Sequence, residues 1–205
     1  MQIDREIHII SNGIDDPLEY AKTAAEIHPF ITALHIREKS KSASEIYLCL
    51  KALKDCNVPL SKVYVNDRAD IALAAGAKGV QLTYQSLDVA LVKSSFPGLR
   101  IGKSVHSIEE ALEAERQGAD YLIYGHIFPT ASKQGLNARG LQSLNEITKA
   151  VSIPVVAIGG ITPERTKDVL AAGASGIAVM SGIWAAASPI EAAEQFYTKV
   201  RKEGE

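Results

Sequence analysis

Eight short runs rich in β-branched and aliphatic residues recur along the chain, and an amphipathic stretch follows each. The runs are EIHIIS (6–11), ITALHIRE (31–38), KVYVN (62–66), GVQL (79–82), RIGKSV (100–105), DYLIYGHI (120–127), PVVAIGG (154–160) and GIAVMSG (176–182). Such alternation predicts parallel pairing, because parallel neighbours need a crossover long enough to hold a helix. The helix starts are marked. Asp16 precedes Pro17, Ser188 precedes Pro189 and Thr162 precedes Pro163, each a capping side chain ahead of a proline at the first helical position. Ser107 and Glu110 have the spacing of a capping box. The segments AAGAKG, QGAD and AAGASG put glycine where a left-handed residue closes a helix.

Two architectures compete for eight such repeats. A doubly wound open sheet usually has fewer strands and a glycine-rich first turn, and ISNGIDDP lacks the GxGxxG spacing. A closed (β/α)8 barrel has the right count, and its compact limit of about 200 residues matches a chain of 205. With no linker-like tract, the expectation is a single-domain α/β TIM barrel over residues 1–205.

Several function classes recede on composition. No segment approaches the roughly 20 apolar residues that span a membrane. The start MQIDREIHII carries Asp4 and Glu6 where a signal peptide needs a basic patch, so a cytoplasmic location is expected. A net charge of −2 with no basic stripe argues against nucleic acid as a partner. Cys49 and Cys56 fall seven residues apart on one expected helix. That is roughly 10 Å of rise, beyond the reach of about 7 Å that a disulfide allows, so both are expected to pack. There is no CxxC and no HExxH. Trp184, Phe196 and Tyr197, late in the chain, are candidates for burial in a homodimer.

In barrels of this kind the chemistry stands at the C-terminal strand ends. The second run ends His35-Ile36-Arg37-Glu38-Lys39. A period of two puts His35, Arg37 and Lys39 on one face, an anion site at the barrel mouth. The third ends in Asn66, a ligand donor, and Asp67, either a metal ligand or the cap of the next helix. The fifth offers the hydroxyl of Ser104, while His106 is expected to be structural. The sixth opens into GHIFPTASKQG (125–135), with Thr130, Ser132 and Lys133 able to face an anion and His126 at the strand end. Turns after the seventh and eighth runs bring Gly159, Gly160, Met180 and Ser181. Small residues there let backbone amides approach a phosphate monoester or diphosphate. His126, beside that site, is the candidate for moving a proton. His8 and His28 have no such surroundings.

Taken in order, HIREK, VNDR, IGKSVHS, GHIFPTASK and AIGGI resemble the thiamin phosphate synthase superfamily from about residue 6 to 185. The resemblance implies a (β/α)8 barrel. It implies a synthase that joins a pyrimidine diphosphate to a thiazole phosphate with Mg²⁺. Three positions depart from the synthase pattern: His35 stands for Gln, Ser86 for a Mg²⁺-binding Asp, and His126 for Pro. A neutral hydroxyl is a poor substitute for a carboxylate on a hard cation. These departures resemble the thiazole tautomerase (TenI) branch, an isomerase of thiamine biosynthesis that needs no metal or other cofactor. That branch would use His126 as the catalytic residue, shifting a proton from ring C2 to the exocyclic carbon of a carboxythiazole phosphate. The backbone at Gly159, Gly160, Met180 and Ser181 would hold the phosphate. Arg37 and Lys39 would hold the carboxylate or the developing negative charge. The expected function is thus a thiazole tautomerase, with a thiamin phosphate synthase or a non-catalytic thiazole-phosphate-binding regulator as the alternatives.

Overall fold

The protein is a closed parallel barrel of eight strands, seen in a computed structural model that describes residues 5–133 and 135–202. The strands are β1 (Glu6–Ile10), β2 (Ala33–Ile36), β3 (Val63–Asn66), β4 (Gly79–Leu82), β5 (Arg100–Val105), β6 (Tyr121–Gly125), β7 (Val155–Ile158) and β8 (Gly176–Val179). Each pairs with its sequence neighbour, and β8 closes onto β1 through the register Glu6 to Gly176 and His8 to Ala178. The helices between them are α1 (Pro17–Ile27), α2 (Ala43–Asp55), α3 (Ala69–Ala75), α4 (Val89–Ser95), α5 (Ile108–Arg116), α6 (Gly140–Ala150), α7 (Thr166–Ala171), α8 (Ser181–Trp184) and α9 (Pro189–Lys202). The expected barrel is therefore found, and each expected strand contains the observed one.

The caps explain where helices begin. Asp16 accepts from the amides of Leu18 and Glu19 at the start of α1. Ser107 accepts from Glu110, but the Glu110 carboxylate takes the amide of His106, 2.7 Å away, so the box closes one residue early. Residues 163–165 form a turn and α7 starts only at Thr166, so Thr162 does not cap a regular first turn. Cys49 is buried and Cys56 half-buried, both with free thiols, as packing predicts.

Strand alternation sends Ile7 and Ile9 outward against the helices, while Ile10, Ala33, Tyr64, Tyr121, Ile123, Val156 and Ala178 fill the barrel interior. Two tyrosines in so narrow a space need an opposing gap. Gly102 on β5 supplies it, because a Cβ there would collide with the Tyr121 phenol and the Gln81 amide oxygen.

Below the mouth the interior is polar. Arg100 makes a two-pronged ion pair with Glu6, at 2.7 and 2.9 Å. Glu6 also accepts from His8 Nε2 at 2.6 Å. A carboxylate only accepts, so His8 carries its proton on Nε2 and presents Nδ1 as an acceptor; His35 Nε2 donates to that Nδ1 at 2.9 Å. Burial pushes the Glu6 carboxyl up, but the hydrogen bonds from His8 and Arg100 outweigh it and hold the group at about 2. Burial pushes His8 below its ordinary value, and His35 well below, so both are neutral.

No helix among the described residues is long and apolar enough to cross a membrane. The late aromatic residues are used inside the chain. Trp184 donates from Nε1 to the carbonyl of Ile10 at 2.8 Å and stacks on Tyr20. Phe196 is in the core and Tyr197 meets the edge of Phe30. Trp184 and Tyr197 stay half-buried in the single chain.

Candidate functional site

A cavity of about 700 Å³ opens at the C-terminal ends of the strands. It gathers Arg37 and Lys39 from beyond β2, Asn66 from β3 and Ser104 from β5. The loop after β6 brings His126, Thr130, Ser132 and Lys133, and the turns after β7 and β8 bring Gly159, Gly160, Met180 and Ser181. One expected residue is missing. His35 is fully buried and lies beneath the floor, occupied with His8. It shares a face with Arg37, but two residues of strand are nearly 7 Å of depth, so it sits a layer lower.

The cationic wall owes its free charge to where Glu38 points. That carboxylate accepts from the Ser11 hydroxyl at 2.7 Å and from the amide of Ile14 at 3.1 Å, on the loop after β1. Ser11 Oγ in turn accepts from the Arg37 amide at 2.8 Å. Glu38 thereby fixes the backbone of the wall. Among the described residues, Arg37, Lys39 and Lys133 have no ion-pair partner.

The opposite wall is built by close backbone approach. Gly160 has φ +65°, and a Cβ there would lie 2.6 Å from the carbonyl of Pro129. Phe128 donates its amide to the carbonyl of Gly159 at 3.0 Å, so the loop after β6 lies against the turn after β7. His126 is 8% exposed, and its Nε2 donates to the carbonyl of Leu136 at 3.3 Å. Arg139 folds the loop back, donating to the carbonyl of Gly125 at 2.9 Å.

Some cavity residues escaped sequence reasoning. Arg165 lines it and donates from Nη1 to the carbonyl of Gly160 at 2.8 Å. It lies five residues beyond the strand-end turn, outside the window where strand ends draw attention. Gln81 lines the floor and donates to Ser104 Oγ at 3.0 Å. His106, expected to be structural only, also lines the cavity. The alternation on β4 marks Gln81 as inward-facing, but nothing local separates it from an ordinary core position.

Asp67 does not cap a helix. The first cap position of α3 is Arg68, which makes no side-chain capping bond. Instead Asp67 Oδ1 accepts from Thr83 Oγ1 at 3.0 Å and, over a short contact, from Ser86 Oγ. Lys103 Nζ, behind that loop, donates to the carbonyl of Thr83 at 2.7 Å. One carboxylate, two neutral hydroxyls already bonded to it and a neighbouring ammonium do not fit the Mg²⁺ site that the synthase resemblance implies.

The sequence pattern of the family described as thiamine monophosphate synthase matches residues 7–183. The thiamine-phosphate synthase of Pyrococcus abyssi is 44% identical over 165 residues, covering 80% of each chain. That of Desulfitobacterium hafniense is 42% identical over 204 residues, covering 95% of this chain and 96% of the relative. The solved thiamine phosphate pyrophosphorylase from Pyrococcus furiosus superposes with a TM-score of 0.83 at 35% identity, over 98% of both chains. These findings overturn the thiazole tautomerase, and the isomerase class with it: relatives over 40% identical carry the synthase name. The three departures at positions 35, 86 and 126 are single side chains set against a likeness that runs through the barrel. The chain belongs to the thiamine monophosphate synthase family.

Proposed function

We propose that the protein is an enzyme that joins a pyrimidine diphosphate to a thiazole phosphate and releases diphosphate, as a thiamine-phosphate synthase does. One observation carries this reading: a single cavity has two separate anion grips, Arg37 and Lys39 beyond β2 and, across the ring of strands, the backbone at Gly159, Gly160 and Ser181 with Lys133 on the loop after β6. Two phosphorylated substrates need two grips. The names of the relatives support the same reading.

In the reaction the bond from the pyrimidine's carbon to the diphosphate oxygen breaks, and its electron pair leaves on that oxygen. The lone pair of the thiazole nitrogen forms the new bond to carbon. Negative charge grows on the leaving oxygen, where Arg37 and Lys39 stabilise it. The turns after β7 and β8 hold the thiazole phosphate and so orient the nucleophile, which converts an encounter of two solutes into a local step. Gln81 donates to Ser104 Oγ, so the Ser104 proton is free to turn toward the pyrimidine with Asn66 beside it. His126 lines the same cavity just past the end of β6. Thr130, Ser132 and Lys133 cover the cavity from the loop after β6.

The test is product formation from the two substrates, with diphosphate release measured in parallel. Arg37→Ala should lower kcat/KM for the pyrimidine diphosphate by about 100-fold, the loss expected for one charge-assisted contact to a leaving group. Binding of the thiazole phosphate should stay within a few-fold. No product from the unaltered protein would sink the reading.

A further inference from the structure

We propose that this cavity binds diphosphate as the bare anion, on side-chain cations, and that a divalent cation loosens the grip instead of tightening it. The inference rests on the synthase reading, because it concerns the diphosphate end of that site.

The argument starts at Asp67. Its Oδ1 accepts from the hydroxyls of Thr83 and Ser86. To bind a metal without losing these bonds, Asp67 has only Oδ2 to give. It would then offer a hard cation one carboxylate and two neutral oxygens, where such ions are ordinarily held by several carboxylate or carbonyl oxygens. Lys103 adds to the obstacle. Its ammonium, half-buried, holds the carbonyl of Thr83 at 2.7 Å and feels the fields of Asp88, Glu110 and Asp67. Positive charge therefore already stands behind the loop that carries Thr83 and Ser86.

The cations complete the case. Arg37, Lys39 and Lys133 line the same cavity, and Glu38, the carboxylate between Arg37 and Lys39 in sequence, is tied to Ser11 and the Ile14 amide. Three positive side chains then face a highly charged anion, with Asp67 as the opposing charge on the cavity wall. A divalent cation bound to diphosphate cancels part of the anion's charge and, with it, part of its attraction to these groups. In a site with paired carboxylates the metal regains that loss by bridging anion and protein. Here the second carboxylate position is Ser86.

Calorimetric titration of inorganic diphosphate into the full-length protein tests this, once in excess EDTA and once in excess Mg²⁺. We expect binding in EDTA and at least about threefold weaker binding with Mg²⁺. Ser86→Asp, which restores a carboxylate pair, should reverse the sign, so that Mg²⁺ strengthens diphosphate binding. The same variant should gain affinity for Mn²⁺ alone, read by the loss of the free-ion paramagnetic resonance signal. Diphosphate binding that requires Mg²⁺, or tightens with it, in the unaltered protein would overturn the proposal and leave the synthase reading intact. Diphosphate binding weakened by Mg²⁺ in a protein that forms no product would uphold the proposal for the pocket and sink the synthase reading. No diphosphate binding under either condition would sink both.

Discussion

At the scale of the residue, the two walls differ in what they tolerate. The cationic wall depends on charges at the ends of long side chains, which can shift. The phosphate wall depends on the absence of side chains. At Gly160, φ is +65° and an added Cβ would lie 2.6 Å from the Pro129 carbonyl and 2.8 Å from that of Phe128. Both contacts are to backbone, which gives little. Gly160→Ala should raise KM for the thiazole phosphate by about tenfold and lower stability by about 1–3 kcal/mol. Steady-state kinetics and urea unfolding separate the two effects, and an unchanged KM would remove this turn from the site. Asp67 shows the contrast: it sits at φ +59°, in a region that Asp tolerates better than most side chains.

At the scale of the element, strands and helices were legible because their causes are local. Asp16 and Ser107 cap because a side-chain oxygen reaches an amide two or three residues on. Thr162-Pro163 carried the same signal, yet the turn over 163–165 delays α7 to Thr166. There Arg165 bonds back to the carbonyl of Gly160, and its guanidinium lies 4.7 Å over the Phe128 ring. A tertiary contact thus overrode a local one. The strands obey a condition no single run displays: large inward side chains require small ones opposite. Tyr121 depends on Gly102. Gly102→Ala should therefore cost about 1–3 kcal/mol of stability by overpacking, seen as a lower urea midpoint at unchanged slope. A stability equal to that of the unaltered protein would mean that the interior adjusts.

At the scale of the whole molecule, the buried ion pair and the two histidines set the response to acid. Glu6 in the folded barrel holds at about 2, against an ordinary 4.5. Its folded value is the lower one, so its contribution is complete above pH 4.5 and is lost as pH falls toward 2. That gap corresponds to about 3 kcal/mol. His8 and His35 are lowered from an ordinary 6.5 by burial, so the unfolded chain takes up protons there before the folded one does. Stability should begin to fall as pH drops through about 6.5 and fall further below 4.5. Urea midpoints between pH 8 and 3 check this. Glu6→Gln should lower stability at neutral pH, since it leaves Arg100 without its carboxylate, and should flatten the decline below pH 4.5. A flat profile between pH 7 and 5 would mean that the histidine pair is not held neutral.

The amino-acid sequence by itself determined the barrel and the strand ends, and all but one of the residues singled out there line the cavity, because period, capping and turn chemistry act over a few residues. It also held the likeness to the family, though three positions, His35, Ser86 and His126, pointed to a different reaction from the one the relatives carry out. Only the tertiary structure decided depth and partnership. Glu6 meets Arg100 from 94 residues away. His35 sinks to His8 rather than rising to the mouth, Trp184 bonds to the Ile10 carbonyl and Phe196 enters the core. The physical reason is closure. Once β8 pairs with β1, the register of the ring fixes which side chains share a layer, and that register cannot be read from spacing within any one strand.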